Sequence, residues 1–244
     1  MPKTTPKTTP KTTPKTTPKT TPKTTPKTTL RRPVFGRMYP MMARAMEAGG
    51  MAERRQALLA GLSGQVVEVG AGDGATFAHY PPAVERVLAI EPEPHLRALA
   101  EHAASAAPVP VEVRAGTAEH LPVADKGVDA VVFALVLCSV IDHATALAEA
   151  VRVLKPGGQV RFLEHVRADS PGIARAQRLL DATVWPHLAG GCHTGRDTLA
   201  VLERPGCARS GWSRSCSRQR APRSRSTCSA QRFRRSRASQ MSEA

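Results

Sequence analysis

The chain has 244 residues and a formal net charge of +15. That charge is concentrated at the ends: residues 1–29 hold seven lysines and no acid, residues 207–244 hold ten arginines and one acid, and residues 30–206 are nearly balanced. The balanced centre does not indicate a basic nucleic-acid-binding face there, and the five cysteines lack the paired spacing of a metal site or a disulfide framework.

Three regions follow from this distribution. Residues 1–29 contain seven copies of Pro-Lys-Thr-Thr, which cannot hold a helix and predict a disordered tail. Residues 30–206 have enough apolar material for one domain. Residues 207–244, rich in Arg and Ser without periodicity, predict a second disordered tail; out-of-frame translation and an Arg-Ser nucleic-acid arm are the two hypotheses for it. No apolar run reaches the ~18 residues of a membrane span, so we expect a cytoplasmic protein without one.

The domain begins with a helical pattern over residues 33–62, which holds a set of methionines and Tyr39. The β-branched run at 66–69 then predicts a buried strand, and the glycines of residues 70–74 predict a tight turn into a helix. Such a turn brings the backbone close to a ligand and points free N–H groups at it. This stretch therefore predicts a ligand site.

Strands and helices alternate along the remainder of the domain. Strands are predicted at 86–91, 109–114, 128–134 and 159–165, and helices at 92–107, from Asp142 to before Lys155, at 173–188 and from the loop at 190–197 through Glu203. Short links between alternating elements predict an α/β fold with a doubly wound, mostly parallel sheet of the Rossmann type. In such sheets, ligands lie outside the carboxyl ends of the strands.

The kind of ligand follows from an acid and from local charge. Glu91 ends the second predicted strand nineteen residues after Gly72, and an acid at about that distance from a glycine turn binds ribose hydroxyls. Glu68 and Asp73 flank the glycines, where they would repel a pyrophosphate and attract the ammonium and sulfonium groups of S-adenosylmethionine. The sequence therefore favours S-adenosylmethionine over a dinucleotide.

Four stretches resemble the class I methyltransferases, in particular the type 11 methyltransferase domain. They are residues 68–74, Glu91, residues 116–122 and residues 153–158, in the family's order and at its intervals. Residues 135–140 and 163–166 resemble the branch of methyltransferase-like enzymes that methylate thiols. Relatives end with two antiparallel strands that complete a seven-stranded sheet, and the composition after Cys207 predicts that these strands are missing or disordered here.

The resemblance implies roles for individual residues. The cofactor-binding residues it implies are Glu68, Gly70, Ala71, Gly72, Gly74, Glu91, Thr117, Ala118, Glu119 and Leu135. The implied pocket for the methyl acceptor contains Tyr39, Cys138, His165, Cys192 and His193. His165 is the candidate catalytic base or orienting group, because imidazole titrates near neutrality. A strand-end histidine bonded only to its neighbours is the alternative, and His143 is a weaker candidate.

Together these features predict transfer of a methyl group from S-adenosylmethionine to a small, apolar acceptor, for which a thiol is one option. The partner is then a small molecule, without a metal and without specific nucleic acid. The alternative is a polybasic-tailed nucleic-acid-binding protein on a degenerate cofactor-binding scaffold. Neither the acceptor nor the oligomeric state follows from the sequence.

Overall fold

The computed structural model describes residues 30–165, 168, 170–183, 185–195, 212–215 and 228–235. The predicted tail at residues 1–29 and the predicted helix through Glu203 lie outside these residues. The described residues contain one sheet with helices on both of its faces.

Seven strands form the sheet, in the order β3-β2-β1-β4-β5-β7-β6. They are β1 (Gly64–Val69), β2 (Val84–Ile90), β3 (Val111–Arg114), β4 (Val128–Ala134), β5 (Leu154–His165), β6 (Trp212–Ser215) and β7 (Cys228–Arg235). Strands β1 to β5 are parallel, whereas β7 pairs antiparallel with both β5 and β6. The strand order reverses between β1 and β4, so a crevice opens at the carboxyl ends of these two strands.

The helices in the described part of the chain are α1 (Pro33–Met46), α2 (Ala52–Leu59), α3 (Pro94–Ala104), α4 (His143–Val153), α5 (Pro171–Asp181) and α6 (Trp185–Leu188). A turn at Glu47–Met51 joins α1 to α2. Proline begins α1, α3 and α5, where its missing N–H costs nothing. The carboxylates of Glu93 and Asp142 accept backbone N–H bonds at the starts of α3 and α4.

Apolar side chains fill both faces of the sheet. Along β4, Val131 and Phe133 belong to one buried cluster, together with residues of α4. Ala130 and Val132 point the other way, into a second cluster with residues of α2 and α3. Successive strand residues point to opposite faces, so a strand covered on both sides is apolar throughout. The predicted α/β, doubly wound, mostly parallel sheet is confirmed.

Two helix predictions are wrong in detail. The glycine loop after β1 is followed by a single 3₁₀ turn at Phe77–His79 instead of an α-helix. Few residues separate this loop from Pro81 and Pro82, which cannot continue a helix. The helix predicted over residues 173–188 is two helices, because α5 ends at Asp181 and α6 begins at Trp185.

The prediction that the terminal strands are missing is wrong for residues 212–215 and 228–235. β7 pairs with β5 residue by residue, from Gln159 with Arg234 to His165 with Cys228. Strand pairing uses backbone N–H and C=O groups, and β5 would otherwise expose a row of them at the sheet edge. The arginine-rich sequence of β7 lacks the apolar pattern from which a strand is predicted, so the pairing was not visible in it.

Candidate active site

A cavity of about 450 Å³ opens at the carboxyl ends of β1, β2 and β4. Its floor is formed by the strand ends and the loops that follow them, and α1 lies across it. The lining residues predicted from the sequence are Tyr39, Gly70, Gly72, Glu91, Thr117, Ala118, Glu119 and Leu135. The fold thus brings seven of the ten implied cofactor residues and one implied acceptor-pocket residue to one cavity.

Gly72 is the point of the glycine loop that lies against Tyr39. Its φ of +60° is a left-handed backbone angle, and a Cβ at this position would lie 3.0 Å from Cε1 of Tyr39. Both features favour glycine. Tyr39 is largely buried above the loop, and burial raises its pKa to about 12. Its hydroxyl therefore stays protonated at neutral pH and can donate a hydrogen bond into the cavity.

Glu91 follows β2 and holds the glycine loop. One carboxylate oxygen accepts the N–H of Gly72 at 2.8 Å, and the other accepts the N–H of Glu93 at 2.9 Å. Burial raises the pKa of Glu91 to about 7, and these two backbone donors oppose the shift only in part. Each carboxylate oxygen keeps a second lone pair, so the side chain can also accept hydrogen bonds from a ligand.

The loop after β3 forms the cavity wall on the other side of Glu91. His120 donates its backbone N–H to the carbonyl of Thr117 at 3.2 Å, which closes a tight turn over residues 117–120. Glu149 of α4 accepts the N–H of Leu121 at 2.9 Å and fixes the end of that turn. A side chain at Gly116 would lie 2.7 Å from Ile90, so this loop packs directly on β2.

The loop after β4 completes the floor. Leu135 has a φ of 61°, a strained angle for a branched side chain. The fully buried carboxylate of Glu164 accepts the N–H groups of Val136 and Leu137 at 2.9 Å and that of Cys138 at 3.3 Å. Glu164 therefore supplies a hydrogen-bond acceptor for the backbone N–H groups of this turn, which lie beyond the end of β4. Sequence reasoning gave Glu164 no role, although its position at the end of β5 was the available signal.

Three implied cofactor residues do not line the cavity. Ala71 and Gly74 lie in the glycine loop but face away from the cavity. Glu68 is buried, and one of its oxygens accepts the Tyr80 hydroxyl at 2.8 Å; its other oxygen has no partner among the described residues. Burial raises the pKa of Glu68 to about 7. Glu68 thus holds Tyr80 in the interior of the domain and does not face the cavity.

The implied acceptor pocket is only partly assembled around the cavity. Cys138 and Cys192 are both buried, pack together with Ala189 and do not line it. The neighbouring Cys192 thiol and burial raise the pKa of Cys138 well above its usual value, so this thiol stays protonated. His193 is likewise absent from the lining and bonds to the carbonyl of Gly191 at 2.8 Å.

The histidine predictions have different outcomes. His143 bonds to the Leu137 carbonyl at 2.7 Å, which gives it a structural contact at the β4 loop. The backbone of His165 ends β5 opposite Cys228, but its side chain lies outside the described residues. Its role as base stays a prediction.

Helix α1 and the residue before it contribute three lining residues, of which sequence reasoning identified Tyr39 and missed Arg32 and Phe35. Arg32, Phe35 and Tyr39 follow one another at intervals of three and four residues, which places them on one helix face over the cavity. Phe35 and Tyr39 are in ring contact, with centroids 5.2 Å apart. Gly190 lies beneath Phe35, where a Cβ would be 2.8 Å from the ring. The helical spacing of these three residues was the available signal.

Other chemistries were searched for in the same described residues. No group of three or more His, Cys, Asp or Glu side chains there is arranged to hold a metal ion. No helix in this part of the chain is long and apolar enough to cross a membrane.

Comparisons with known proteins agree with this geometry. A protein family described as methyltransferase domain matches residues 67–162. Human thiol S-methyltransferase TMT1A is 42% identical over 152 residues, which cover 59% of this chain and 61% of that protein. The chain thus spans about three fifths of the length of the first curated relatives it matches.

Solved structures share the fold at low identity. A methyltransferase structure from Thermotoga maritima, described as a possible histamine N-methyltransferase, has a TM-score of 0.60 and 18% identity and covers 83% of this chain and 99% of its own. The DhpI-SAH complex has a TM-score of 0.57 and 20% identity, with coverage of 84% and 93%. Residues 67–162 thus match the methyltransferase domain family, and the described domain has the fold of these solved S-adenosylmethionine-dependent methyltransferases.

Proposed function

We propose that the chain transfers a methyl group from S-adenosylmethionine to a small thiol. The observation that carries the proposal is the lining of the cavity, which combines a polar cradle of Glu91 and Gly72 with apolar side chains such as Phe35. The relatives that are named thiol S-methyltransferases support the choice of acceptor atom.

The residues of the cradle fit the donor. Glu91 retains lone pairs for ribose hydroxyls, and the small residues at 70 and 72 leave the backbone open to a ligand. Ile90, Leu96 and Val140 offer apolar contacts for the adenine ring. When bound, S-adenosylmethionine supplies a methyl group on a sulfonium sulfur. The charges of Glu91 and Glu119 make the cavity favourable for such a cation.

The reaction requires little from the protein other than alignment of the acceptor sulfur with the methyl carbon. The acceptor sulfur forms a bond to the methyl carbon as the bond to the sulfonium breaks, and the thiol proton passes to solvent. A thiol near its ordinary pKa is partly ionised at mildly alkaline pH, so positioning alone gives a large rate increase. Tyr39 is not available as a base at neutral pH, because its pKa is raised to about 12 by burial.

The test uses the full chain with S-adenosylmethionine and a panel of alkyl and aryl thiols, followed by mass spectrometry of the thioether and S-adenosylhomocysteine. Both products are expected in equal amounts. Matched alcohols and amines serve as controls for the acceptor atom. Turnover of an alcohol or amine without any thiol product would contradict the thiol assignment, and saturable cofactor binding without any product would contradict transfer to small acceptors.

The cavity supplies a matched pair of variants for the same assay. Gly72→Arg fills the cradle at the position where even a Cβ meets Tyr39 at 3.0 Å, and it should abolish cofactor binding. Gly172→Arg adds the same side chain in the first turn of α5, where a Cβ meets nothing within 4 Å. That control should bind the cofactor as the native chain does.

A further inference from the structure

Among the described residues that line the cavity, Arg32 is the only lysine or arginine. It is the residue immediately before α1, and its side chain is partly buried. The other ionisable groups of the lining are Tyr39, Glu91, Glu119 and His120. This part of the lining therefore has one fixed positive charge. The methyl donor brings a single anion, the carboxylate of its methionine end, and the proposed place for that end is the glycine loop around Gly72.

The guanidinium of Arg32 has no ion pair or hydrogen bond within the described parts of the chain. It packs on the backbone of Gly191, where a Cβ would lie 3.1 Å from Nη1 and 3.2 Å from Nη2. A partly buried cation without an anion is costly, and a guanidinium presents two parallel N–H groups that match a carboxylate. The position therefore favours a ligand that brings its own negative charge.

The neighbours of Arg32 lie on two sides of the cavity. The N–H of Leu30 donates to the carbonyl of Pro92 at 3.0 Å, beside Glu91, whereas the Arg32 guanidinium itself lies on the loop at Gly190 and Gly191. Gly191 follows Gly190, which lies under Phe35, and this loop is tied to the end of β4 by the bond from the His193 N–H to the Cys138 carbonyl at 3.1 Å. Tyr39, in contrast, covers Gly72 in the glycine loop. Arg32 stands seven residues before Tyr39, which corresponds to about 10 Å along a helix axis.

We infer that Arg32 determines acceptor specificity, and that the preferred acceptors are short thiols with a carboxylate at the far end of the molecule. The inference rests on the proposed function. The carboxylate pairs with both Nη atoms of Arg32, and the intervening carbons pack against Phe35 and Ile141, which also line the cavity. The sulfur then extends inward from this anchor.

The experiment compares 3-mercaptopropionate with propanethiol, which has the same carbon count but no charge, as acceptors for the full chain. The variants are R32Q, R32K and R37Q; Arg37 is exposed on α1 and does not line the cavity. Loss of a charge-assisted hydrogen bond should lower kcat/KM for 3-mercaptopropionate about ten- to a hundredfold more than for propanethiol in R32Q. R32K should show a smaller decrease in kcat/KM for 3-mercaptopropionate, because lysine keeps the positive charge but lacks the two parallel N–H groups of the guanidinium.

The ratio of the two acceptors is compared between variants, so the intrinsic reactivity of each thiol cancels. R37Q should keep the native ratio. Calorimetric titration of S-adenosylmethionine and a thermal melt accompany each variant. Weaker cofactor binding in R32Q with an unchanged acceptor ratio would assign Arg32 to the cofactor and overturn the inference. An equal decrease in kcat/KM for both thiols in R32Q would also overturn the inference, because it would indicate a structural role for Arg32.

Failure of the proposed function has a different signature. A native chain that binds S-adenosylmethionine but methylates neither thiol contradicts thiol transfer itself, and the specificity inference falls with it. A native chain that methylates both thiols equally, with a ratio that R32Q does not alter, contradicts only the role of Arg32.

Discussion

Replacing Glu91 with glutamine tests the central assignment of the cofactor site. The native carboxylate accepts one backbone N–H with each oxygen, from Gly72 at 2.8 Å and from Glu93 at 2.9 Å. Glutamine keeps one oxygen and puts an NH₂ group in place of the other, so one N–H loses its acceptor. A hydrogen bond to a charged group is worth about 1.5–3 kcal/mol. With ribose hydroxyls on the same oxygens, cofactor affinity should fall about ten- to a hundredfold.

The pH dependence gives a second, independent measure. Burial raises the pKa of Glu91 to about 7, so near neutral pH a large fraction of the free protein carries a proton there. Ribose hydroxyls donate to the ionised form, and binding should therefore release a proton. Cofactor affinity of the native chain should rise from about pH 6 to about pH 8. In Glu91→Gln this slope should be much smaller, because the group no longer titrates.

Isothermal titration calorimetry of S-adenosylmethionine, in buffers of different ionisation enthalpy, measures affinity and proton release together. Glu93→Gln is the matched control. Glu93 is buried two residues away and does not line the cavity, and a glutamine oxygen can still accept the N–H of Leu96. Native affinity and native pH dependence in Glu91→Gln would refute the assignment. An equal loss of cofactor affinity in both variants would mean that the effect comes from the structure of the turn after β2.

Three further predictions concern the supports of the site. Gly72→Ala should weaken cofactor binding, whereas Gly157→Ala, with a φ of +78° but open space around its Cβ, should lower only stability, as calorimetry and thermal melts would show. Glu164→Gln should lower the free energy of unfolding by about 2–3 kcal/mol in urea denaturation, because backbone N–H groups lose a charged acceptor, while the exposed Glu101→Gln should not. For Glu68, burial raises the pKa from 4.5 to about 7, so between these pH values the folded chain holds a proton that the unfolded chain has lost. The free energy of unfolding should therefore fall by about 3 kcal/mol as pH rises through this range, and Glu68→Gln should reduce the fall.

Most of the sheet could be predicted because its strands are continuous apolar runs. β4 was predicted at its observed residues, and β1 and β2 to within two residues at each end. The turn at Phe77–His79 and β7 could not be predicted in the same way. A glycine loop normally leads into a helix, and only the nearby prolines argue otherwise. β7 is specified by the free edge of β5 and carries no apolar pattern of its own.

The residues of the site also differ in how far the sequence could predict them. Gly72 and Glu91 were predictable because backbone angle and ribose chemistry constrain the residue type at each position. Glu68 has the residue type for a ligand contact but faces Tyr80, and only packing decides which way a buried carboxylate points. Arg32 was missed because nothing local distinguishes it from Arg31. Its place over the cavity depends on how α1 crosses the sheet.

Glu91 and Glu164 make the same kind of hydrogen bond but have different roles in the site. Each carboxylate follows or ends a parallel strand, and each accepts backbone N–H groups from the loop of the neighbouring strand. Glu91 thereby fixes the loop after β1, and Glu164 fixes the loop after β4. These two loops meet directly, since a Cβ on Gly70 would lie 2.5 Å from Val136. Only Glu91 also faces the cavity. Its oxygens can accept further hydrogen bonds and its pKa is raised, so it can exchange hydrogen bonds with a ligand. Glu164, enclosed by the loop after β4, only holds the floor of the cavity in shape.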